Sequence, residues 1–388
     1  MYDVIVLGLG ACGAATTYQL AKRGAKVLGI DQFAPPHAFG STHGDTRVTR
    51  LAIGEGAHYT PLAMRSHAIW REIEVETGAD LLTTNGGLII SGPEAADFHG
   101  SPFFANTVAA SQTHGIAHEM LDATAIRARF PQFGVDDDAV GYFERSAGFV
   151  RPERCVTAQL SLAEKHGAVL HRNEKVVAFD ATPSSVTVRT DRTSYEADQL
   201  VVAAGAWLPS LLPPDMARLF KVHRQVQFWF EVEDAPAFGP ELFPIFIWDL
   251  PNGKGGVYGF PALDGPLGGI KVAVENYDDT TTADSVRRDV SPDEVRPVFD
   301  MFVAPYIKGV TSRCVRSLSC LYTVTRDFGF VIDRHPGCER VILASPCSGH
   351  GFKHSAAIGE ALAQLALDGR SAADLRAFSL ARLMVHAR

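Results

Sequence analysis

Long apolar runs and cysteines are scarce in this sequence. The opening residues, MYDVIVLGLGACG, lack a basic leader and form too short an apolar run to cross a bilayer, so neither a signal peptide nor a membrane anchor is expected. The six cysteines show neither the paired spacing of metal ligands nor the density of a secreted disulfide scaffold. We therefore expect a cytoplasmic protein with reduced thiols, no metal site and no contact with a membrane.

Basic residues are not in excess. The 36 Lys and Arg residues stand against 44 Asp and Glu residues, which gives a formal net charge of -8. Proteins that bind nucleic acid need clustered basic residues to neutralise phosphates, so no nucleic-acid partner is expected. The 388 residues exceed the usual size of one hydrophobic core, which predicts two domains or one large α/β unit with a second lobe.

Strand, helix and strand follow one another at the start of the chain. Residues 3–8 are a β-branched and leucine-rich run that ends in glycine, which is typical of a strand buried on both faces. Residues 14–23 are rich in helix formers, and residues 26–30 predict a second apolar strand. The same alternation predicts a helix over 156–166, strands over 168–177, 199–204, 330–333 and 341–344, and a helix over 354–368.

Two less regular segments, residues 80–144 and 222–304, separate these parts of the chain. They contain strands with alternating aromatic residues, such as QVQFWFEV and GGVYGF. No internal repeat, low-complexity tract or linker marks an independent domain. We interpret the two segments as a second lobe that is built on a sheet and inserted twice.

Three glycines, Gly8, Gly10 and Gly13, stand in GLGACG between the first strand and the first helix. The first permits a tight turn, the second lets the backbone approach a pyrophosphate, and the third lets helix and strand pack closely. Asp31, at the end of the second strand, is suited to accept hydrogen bonds from ribose hydroxyls and would repel a 2′-phosphate. The pattern predicts a dinucleotide site but does not distinguish NAD from FAD.

Three further motifs decide between these cofactors. They are GSTHGDTRVTR at 40–50, CLYT at 320–323 and SGHGFKHSAAIGE at 348–360. With the glycine loop, they closely resemble the monomeric sarcosine oxidase and N-methyltryptophan oxidase family, within the larger group of D-amino acid oxidase-like flavoproteins. The resemblance runs through nearly the whole chain and is loosest in the second lobe. It implies that the dinucleotide is FAD.

The resemblance also implies the fold class. The implied fold is α/β (α+β) and two-lobed, with a glutathione reductase-like FAD-binding Rossmann domain and an inserted mixed-sheet substrate domain. The FAD-binding domain would comprise residues 1–80, 150–220 and 320–388, and the substrate domain residues 81–149 and 221–319. A monomer is expected.

Cys320 opens the CLYT motif. In the family, the cysteine at this position is bonded through sulfur to the 8α carbon of the flavin, which implies that FAD is attached covalently through Cys320. A thiolate is the nucleophile that such an attachment needs. The other five cysteines are interpreted as buried reduced thiols.

Arg47 and Arg50 stand three residues apart, so both would face the flavin if the segment is turned or helical. Paired arginines are most often solvated at the surface. The resemblance instead implies that Arg47 lies beside the flavin ring and that Arg50 and Lys353 bind the substrate carboxylate, to which a planar guanidinium is well suited. Further cofactor contacts are expected at Ser41, His43, Thr46, Val176, Gly349, Gly351, Phe352 and Lys353, and a substrate contact at Tyr258.

Lys271, in GGIKVAVE, resembles the lysine that promotes the reaction of reduced flavin with oxygen in these oxidases. A cation there would stabilise superoxide as it forms. Four residues on, Glu275 stands where the family has a histidine, which should change substrate choice towards an amine-bearing or cyclic substrate. For each residue the alternative is a solvated position on a strand edge.

The sequence thus predicts a flavoenzyme that oxidises the C–N bond of a secondary or N-methyl α-amino acid. Hydride equivalents would pass to flavin N5, the imine would hydrolyse, and oxygen would become hydrogen peroxide. The expected partners are the amino-acid substrate and oxygen, and the expected catalytic residues are Lys271, Arg47 and Glu275, none of them assigned as a strong base.

Three alternatives stay open. One is an oxidase of cyclic imino acids such as pipecolate or proline-like compounds, and another is a dehydrogenase that uses an acceptor other than oxygen. The third, from a different class, is a flavin-binding protein without turnover.

Overall fold

The computed structural model of the chain describes residues 1–92, 101–250, 255–265 and 268–384. Residues 93–100, 251–254, 266–267 and 385–388, which the predicted domain segments include, lie outside the described residues. The helices in the described ranges are α1 (Ala11–Lys22), α2 (Thr60–Thr77), α3 (Phe103–His114), α4 (Ala123–Arg129), α5 (Pro152–Lys165), α6 (Pro214–Ala217), α7 (Pro292–Val298), α8 (Ser355–Asp368) and α9 (Ala381–Met384). The strands there are β1 (Tyr2–Leu7), β2 (Val27–Asp31), β3 (Arg47–Thr49), β4 (Leu82–Thr83), β5 (Gly87–Ser91), β6 (Glu119–Asp122), β7 (Val140–Glu144), β8 (Gly148–Val150), β9 (Val169–Arg172), β10 (Val176–Ala181), β11 (Val186–Thr190), β12 (Ser194–Val202), β13 (Lys221–Val232), β14 (Ile245–Asp249), β15 (Gly256–Phe260), β16 (Ile270–Val274), β17 (Thr280–Thr281), β18 (Val310–Val324), β19 (Val331–His335) and β20 (Cys338–Ser345).

A sheet of eight strands forms around β1 in the described part of the chain. β1 pairs in parallel with β2 and β12, β2 pairs in parallel with β9, and β12 pairs in parallel with β20. Val4, Ile5 and Val6 are fully buried, as expected for a strand covered on both faces. The carboxyl ends of the parallel strands meet at one edge, which is where open α/β sheets bind their ligands.

Helix α1 is held at this edge by close packing against α8. A Cβ atom on Gly359 of α8 would lie 2.4 Å from the Cβ of Ala15 in α1. The two helices can therefore approach this closely only because residue 359 has no side chain. The contact helps to fix the N-terminus of α1 beside the end of β1.

A second sheet, of nine described strands, has the order β17-β13-β16-β15-β14-β5-β7-β6, with β18 paired to β13. The aromatic run QVQFWFEV lies on β13, between β16 and β18. Its Phe228 and Phe230 are buried in a core cluster with Phe133, Phe243 and Phe246. The predicted sheet in the second lobe is thus found, with its aromatic residues filling the core.

A small sheet, β3-β8-β4, carries Arg47 at the start of β3. β3 pairs antiparallel with β8. Arg50 follows β3 directly, so the segment is extended where the sequence left a turned or helical conformation open. Tertiary pairing with β8 decides the matter, since an isolated stretch of this length has little conformational preference of its own.

The predicted single strand over residues 168–177 is wrong. The chain forms β9 and β10 instead, separated by Asn173, which has a φ of 57°. The N–H of Asn173 donates to Phe33 O at 3.0 Å, and the N–H of Glu174 donates to Asp31 O at 3.0 Å. These tertiary hydrogen bonds redirect the chain, so that β9 joins β2 in parallel whereas β10 pairs antiparallel with β11.

The other predicted elements of the first sheet are confirmed, with ends that differ by a few residues: β1, β2, β12, β19, β20, α1, α5 and α8. The division into two domains stays a prediction, and its boundary at residue 320 falls inside β18, which pairs with β13 of the nine-stranded sheet. In the described ranges, no helix combines the length and the apolar character needed to cross a bilayer.

Candidate active site

The glycine loop after β1 is shaped by close backbone contacts. Gly8 has a φ of 87°, and a Cβ on it would lie 2.5 Å from Ala203 O. A Cβ on Gly13 would lie 1.7 Å from Gly8 O. Gly10 differs, since the nearest atom to a Cβ there is Thr42 Oγ1 at 3.5 Å, and the residue lines a cavity. The fold requires Gly8 and Gly13, whereas Gly10 leaves space for a ligand.

Asp31 closes β2 beside this loop. Its Oδ2 accepts a hydrogen bond from the N–H of Leu9 at 2.8 Å, and its Oδ1 accepts one from the N–H of Phe33 at 2.8 Å. Burial raises the pKa of the Asp31 carboxyl, and the two backbone hydrogen bonds oppose that shift. Because Asp31 also lines the cavity, it both fixes the loop and offers acceptor oxygens to a ligand.

The first cavity extends along the carboxyl edge of the eight-stranded sheet. Its empty volume, including its open mouth, is about 1410 Å³, against roughly 300–1,000 Å³ for a common ligand pocket. Several of its lining residues are small: Gly8, Gly10, Ala11, Ala203, Ala204, Gly205 and Ala206. This lining leaves room for a large ligand and brings the backbone within its reach.

A second cavity, of about 530 Å³, shares part of its wall with the first. The shared residues are Arg47, Tyr322, Gly349 and Phe352. Its other described lining residues are Val48, Arg50, Glu55, Phe103, Ile247, Tyr258, Glu275, His350 and Lys353. The volume suits a small molecule, and ligands in the two cavities would meet at the shared wall.

Arg50 and Lys353 both contact the carboxylate of Glu55. Arg50 Nη2 lies 2.5 Å from Oε2, and Lys353 Nζ lies 3.3 Å from Oε1. The Arg50 and Glu55 side chains are only 3% and 6% exposed, so the contact is shielded from water. Burial lowers the pKa of Lys353 to about 8, and the negative charge of Glu55 opposes that shift. Two cations thus hold one carboxylate on the wall of the second cavity.

Hydroxyl groups and a further carboxylate line the same cavity. Tyr258 on β15 and Tyr322 on β18 have hydroxyl oxygens 3.0 Å apart. Burial raises the pKa of both tyrosines, so both stay protonated at neutral pH. Glu275 follows β16 directly and accepts a hydrogen bond from Tyr277 Oη at 2.9 Å. The second cavity therefore presents groups of both charges and groups that can donate hydrogen bonds.

Arg47 lies beside a second, buried cation. Its guanidinium donates to Ser41 O at 2.7 Å and to Thr46 O at 2.8 Å. Lys271 Nζ donates to Gly44 O at 2.7 Å and to Thr46 O at 2.8 Å. Burial and the positive charge of Arg47 lower the pKa of Lys271 well below its ordinary value.

Aromatic faces oppose this loss of charge on Lys271. Its Nζ lies 4.6 Å from the ring centre of Phe260 and 5.3 Å from that of Trp229, and such ring faces attract an ammonium group. Burial, followed by the charges of Arg47 and Lys271, lowers the pKa of His43 to about 3. The neighbouring imidazole is therefore neutral, so the groups here that can carry a positive charge are the Arg47 guanidinium and the protonated form of Lys271.

Cys320 lies on β18 and is 1% exposed. Gln227 Nε2 donates to its Sγ at 3.4 Å. Burial raises the pKa of the thiol, whereas the positive charges of Arg47 and Lys271 lower it. Tyr322, two residues on and hence on the same face of the strand, lines both cavities. The thiol is thus buried close to the shared wall.

Most residues expected to contact the cofactor line the first cavity: Gly8, Gly10, Asp31, Ser41, Arg47, Val176, Gly349, Gly351 and Phe352. Those expected to contact substrate line the second: Arg50, Tyr258, Glu275 and Lys353. Among the described residues, five expected at the site lie outside both linings: Gly13, His43, Thr46, Lys271 and Cys320. Gly13 serves packing, and the other four are buried near Arg47. Their roles stay predictions.

Sequence reasoning missed Glu55, Tyr277 and Tyr322. Strand periodicity offered a signal for the two tyrosines, because each lies two residues from an expected site residue, Cys320 or Glu275. Glu55 offered no such signal. Its contact with Lys353 joins residues 298 positions apart.

Comparison with known proteins identifies the family of the chain that forms these two cavities. Residues 3–365 match the family model described as FAD dependent oxidoreductase. The chain belongs to this family. Its relatives include the monomeric sarcosine oxidase of Streptomyces avermitilis, 39% identical over 384 residues that cover 98% of each chain. The N-methyl-L-tryptophan oxidase of Salmonella dublin is 36% identical over 386 residues, which cover 98% of this chain and 99% of that one.

Solved structures share the fold of this chain. NikD, an unusual amino acid oxidase essential for nikkomycin biosynthesis, superposes with a TM-score of 0.82 at 23% identity, covering 97% of each chain. Glycine oxidase from Geobacillus kaustophilus superposes with a TM-score of 0.76 at 21% identity, covering 98% of each chain. The predicted α/β (α+β) class with a Rossmann-like FAD-binding fold is confirmed.

The family's cofactor, FAD, fits the first cavity. The N-terminus of α1 lies at the glycine loop, where a pyrophosphate is favoured, and Gly10 leaves space for it. Asp31 stands at the end of β2, as required for a ribose contact.

Replacing Gly10 and Gly13 should separate cofactor binding from folding. Gly10→Val should leave the Tm of the apoprotein nearly unchanged but weaken FAD binding by at least about tenfold, because the side chain enters the first cavity. Gly13→Ala should destabilise the apoprotein by about 1–3 kcal/mol, since its methyl group collides with backbone. Thermal unfolding without FAD and titration with FAD, both in a Cys320→Ser background, measure the two effects. Equal losses of apoprotein Tm, or unchanged FAD affinity in Gly10→Val, would contradict this division.

Proposed function

We propose that this chain is an FAD-dependent oxidase of a secondary or N-methyl α-amino acid and that it reduces oxygen to hydrogen peroxide. The observation that carries the proposal is the Arg50–Lys353 pair, which holds one carboxylate in a cavity that shares Arg47 and Tyr322 with the FAD cavity. The relatives named sarcosine oxidase and N-methyl-L-tryptophan oxidase support this substrate class.

Glu55 illustrates how the pair would hold a substrate carboxylate. Its two oxygens lie 2.5 Å from Arg50 Nη2 and 3.3 Å from Lys353 Nζ. A guanidinium and an ammonium that converge on one carboxylate recognise the group that all α-amino acids share. Substrate would bind by taking over these contacts from Glu55 or by sharing them with it.

When bound, FAD would supply the acceptor for hydride equivalents from the carbon beside the substrate nitrogen and the electrons that reduce oxygen. The chain itself orients the substrate. Arg50 and Lys353 fix the carboxylate, and the Tyr258 and Tyr322 hydroxyls line the same cavity. Lys271 lies buried beside Arg47, and its protonated form would stabilise negative charge as it develops on oxygen. The imine product then hydrolyses in water.

The proposed domains are an FAD-binding part of residues 1–80, 150–220 and 320–388 and a substrate part of residues 81–149 and 221–319. Both parts contribute to the second cavity, the first with Arg50 and Lys353 and the second with Tyr258 and Glu275. The enzyme works as a cytoplasmic monomer. The relatives named monomeric sarcosine oxidase support the proposal of a monomer.

Glu275 favours a second candidate within the same class, an oxidase of cyclic imino acids such as pipecolate or proline-like compounds. A carboxylate in the substrate cavity could accept a hydrogen bond from a ring nitrogen as readily as from an N-methyl amine. Comparison of kcat/KM for sarcosine, N-methyl amino acids, L-proline and L-pipecolate distinguishes the candidates. A dehydrogenase with another acceptor is disfavoured by the buried cation at Lys271.

FAD should remain on the polypeptide after acid denaturation, because we assign its attachment to Cys320. Cys320→Ser should release all flavin to the supernatant, whereas Cys347→Ser should retain it in the precipitate. Cys347 is the control because it is a partly buried free cysteine that lines the first cavity, and its Sγ accepts a hydrogen bond from the N–H of Thr323 in the same CLYT motif. Flavin fluorescence of the denatured polypeptide on a gel is the measurement. Covalent flavin in Cys320→Ser, or its loss in Cys347→Ser, would refute the assignment.

Arg50→Ala and Lys353→Met should each lower kcat/KM for every α-amino acid substrate. Truncating one partner of a buried charge pair typically costs about 2–5 kcal/mol, or roughly 30- to 4,000-fold. Lys22→Met, at an exposed lysine near the end of α1, is the control and should change little.

The charge of Lys353 also predicts a pH effect. Its pKa of about 8 means that the ammonium form is lost as the pH rises through that value, so affinity for a simple carboxylate ligand should fall above about pH 8. Lys353→Arg should remove that fall. Near-normal activity in both Arg50→Ala and Lys353→Met would exclude the assignment of these residues to the substrate carboxylate.

Lys271→Met should slow the recovery of oxidised flavin absorbance after mixing with oxygen, by about 10²–10³-fold if one electrostatic group is lost. Flavin reduction by substrate, measured anaerobically in the same stopped-flow apparatus, is the internal control and should change far less. The wild-type reaction with oxygen should also slow as the pH rises, starting well below the ordinary lysine pKa, because burial lowers the pKa of Lys271. A wild-type oxygen reaction as slow as that of the variant would remove Lys271 from this role.

A further inference from the structure

Glu275 and Tyr277 bring a carboxylate to the cavity that holds Arg50 and Lys353. Glu275 lines this cavity of about 530 Å³ together with both cations. Tyr277 Oη donates to Glu275 Oε2 at 2.9 Å. The charge of Glu275 also acts on Lys353, whose pKa it raises against the larger effect of burial. The cavity therefore has an anionic group as well as a cationic pair.

Tyr277 is built to donate this hydrogen bond. Burial and the negative charge of Glu275 raise its pKa, so the phenol keeps its proton. Its ring packs edge-on against Phe328, with ring centres 5.0 Å apart, and against His223, with ring centres 5.5 Å apart. A phenol fixed on both sides holds one oxygen of the Glu275 carboxylate in place.

The backbone between these two residues is fixed as well. The N–H of Asn276 donates to Gln225 Oε1 at 2.9 Å, and Gln225 Nε2 donates back to Asn276 O. Across from them, a Cβ on Gly349 would lie 3.2 Å from Glu275 Oε1 and 3.2 Å from Tyr277 Oη. The carboxylate thus occupies space that a side chain at residue 349 would fill.

The groups that face Glu275 come from several elements. Besides Tyr277, they are Tyr258 on β15 and Tyr322 on β18, both protonated, and Lys353 after the glycine-rich SGHG segment. Further along the same cavity wall lie the Arg50–Glu55 pair and His350. Arg50, Lys353 and Glu275 together present charges opposite to the carboxylate and the ammonium of an amino acid zwitterion.

We propose that Glu275, held by Tyr277, binds the protonated amine of the substrate, so that this cavity takes up the amino acid as its zwitterion. The inference rests on the proposed function and names the ionic form that the site selects. An ammonium has no lone pair with which to assist oxidation of the neighbouring C–H bond, so one N–H bond must break first. The proton passes to the Glu275 carboxylate, the electron pair stays on nitrogen, and the products are a neutral amine and a carboxylic acid.

Two ligands of the same shape separate the effect of the positive charge on binding from the effect of shape. Trimethylglycine carries a permanent positive charge, whereas 3,3-dimethylbutyrate has a carbon in place of the nitrogen. At about pH 7, the wild-type holoenzyme should bind trimethylglycine at least tenfold more tightly, because a buried charge-assisted contact contributes about that much. Perturbation of the flavin absorption spectrum reports binding without turnover.

Substitutions test which residues cause this preference for the charged ligand. Glu275→Gln should bind the two ligands with equal affinity, and Tyr277→Phe should show an intermediate preference, since it leaves the carboxylate but removes the group that positions it. Lys353→Met should weaken both ligands by the same factor. The proposal is overturned if wild type shows no preference, or if Glu275→Gln keeps the wild-type preference. If Glu275→Gln does not fold, an unchanged preference in Tyr277→Phe overturns the positioning role, and the wild-type comparison still tests the subsite.

A second measurement follows the proton. The Kd of a reactive secondary amino acid, taken from anaerobic flavin reduction, should be nearly independent of pH below the amine pKa in wild type. In Glu275→Gln, the bound ammonium has no proton acceptor in the cavity, so the limiting rate of flavin reduction should fall by about tenfold for each unit that the pH falls, whereas the wild-type rate should stay nearly constant. Identical pH profiles in the two proteins contradict the proposal. Absence of flavin reduction by every amino acid would instead reject the proposed function, and the ligand comparison would still stand as a test of the charge.

Discussion

Two hydrogen bonds from Lys271 join the nine-stranded sheet to the segment that leads into the small sheet β3-β8-β4. Lys271 lies on β16 of the nine-stranded sheet, and its Nζ donates to the carbonyl oxygens of Gly44 and Thr46, on the segment that leads into β3. The side chain is 2% exposed, so loss of these acceptors would leave a buried ammonium without partners, which is strongly destabilising. The position of Arg47, and with it the wall shared by the two cavities, depends on this contact.

The basic side chains of the site lie in different surroundings, and the roles proposed for them differ accordingly. Lys353 and Arg50 face a carboxylate, and in the proposed function they recognise the substrate. Lys271 faces backbone carbonyls and aromatic rings instead. The charges of Arg47 and Lys271 also act on the Cys320 thiol, where they oppose the effect of burial on its pKa. In the proposed function, these neighbouring basic groups would affect substrate binding, oxygen chemistry and the attachment of the cofactor.

Local sequence predicted those features that depend on local contacts. The loop from β1 to α1 follows from its glycines, because residue 8 needs a positive φ and residue 13 needs close backbone packing. The split at Asn173 could not be predicted, since it depends on hydrogen bonds to the distant segment that follows β2. Glu55 was missed for the same reason, as its partner Lys353 is brought close only by the assembled fold. Motifs thus pointed to residues that the fold brings to the two cavities, whereas residues placed by tertiary contacts alone, such as Glu55, gave no signal.

The central claim is that the second cavity delivers a secondary α-amino acid to FAD in the first. Anaerobic titration of the holoenzyme with sarcosine, other N-methyl amino acids, L-proline and L-pipecolate, followed by flavin absorbance, tests it most directly. Matched amines that lack the carboxylate, such as dimethylamine and piperidine, are the controls. The account predicts that at least one secondary amino acid bleaches the flavin while its decarboxylated counterpart does not. Absence of bleaching by all of these amino acids, or equal bleaching by the amines without a carboxylate, would contradict it.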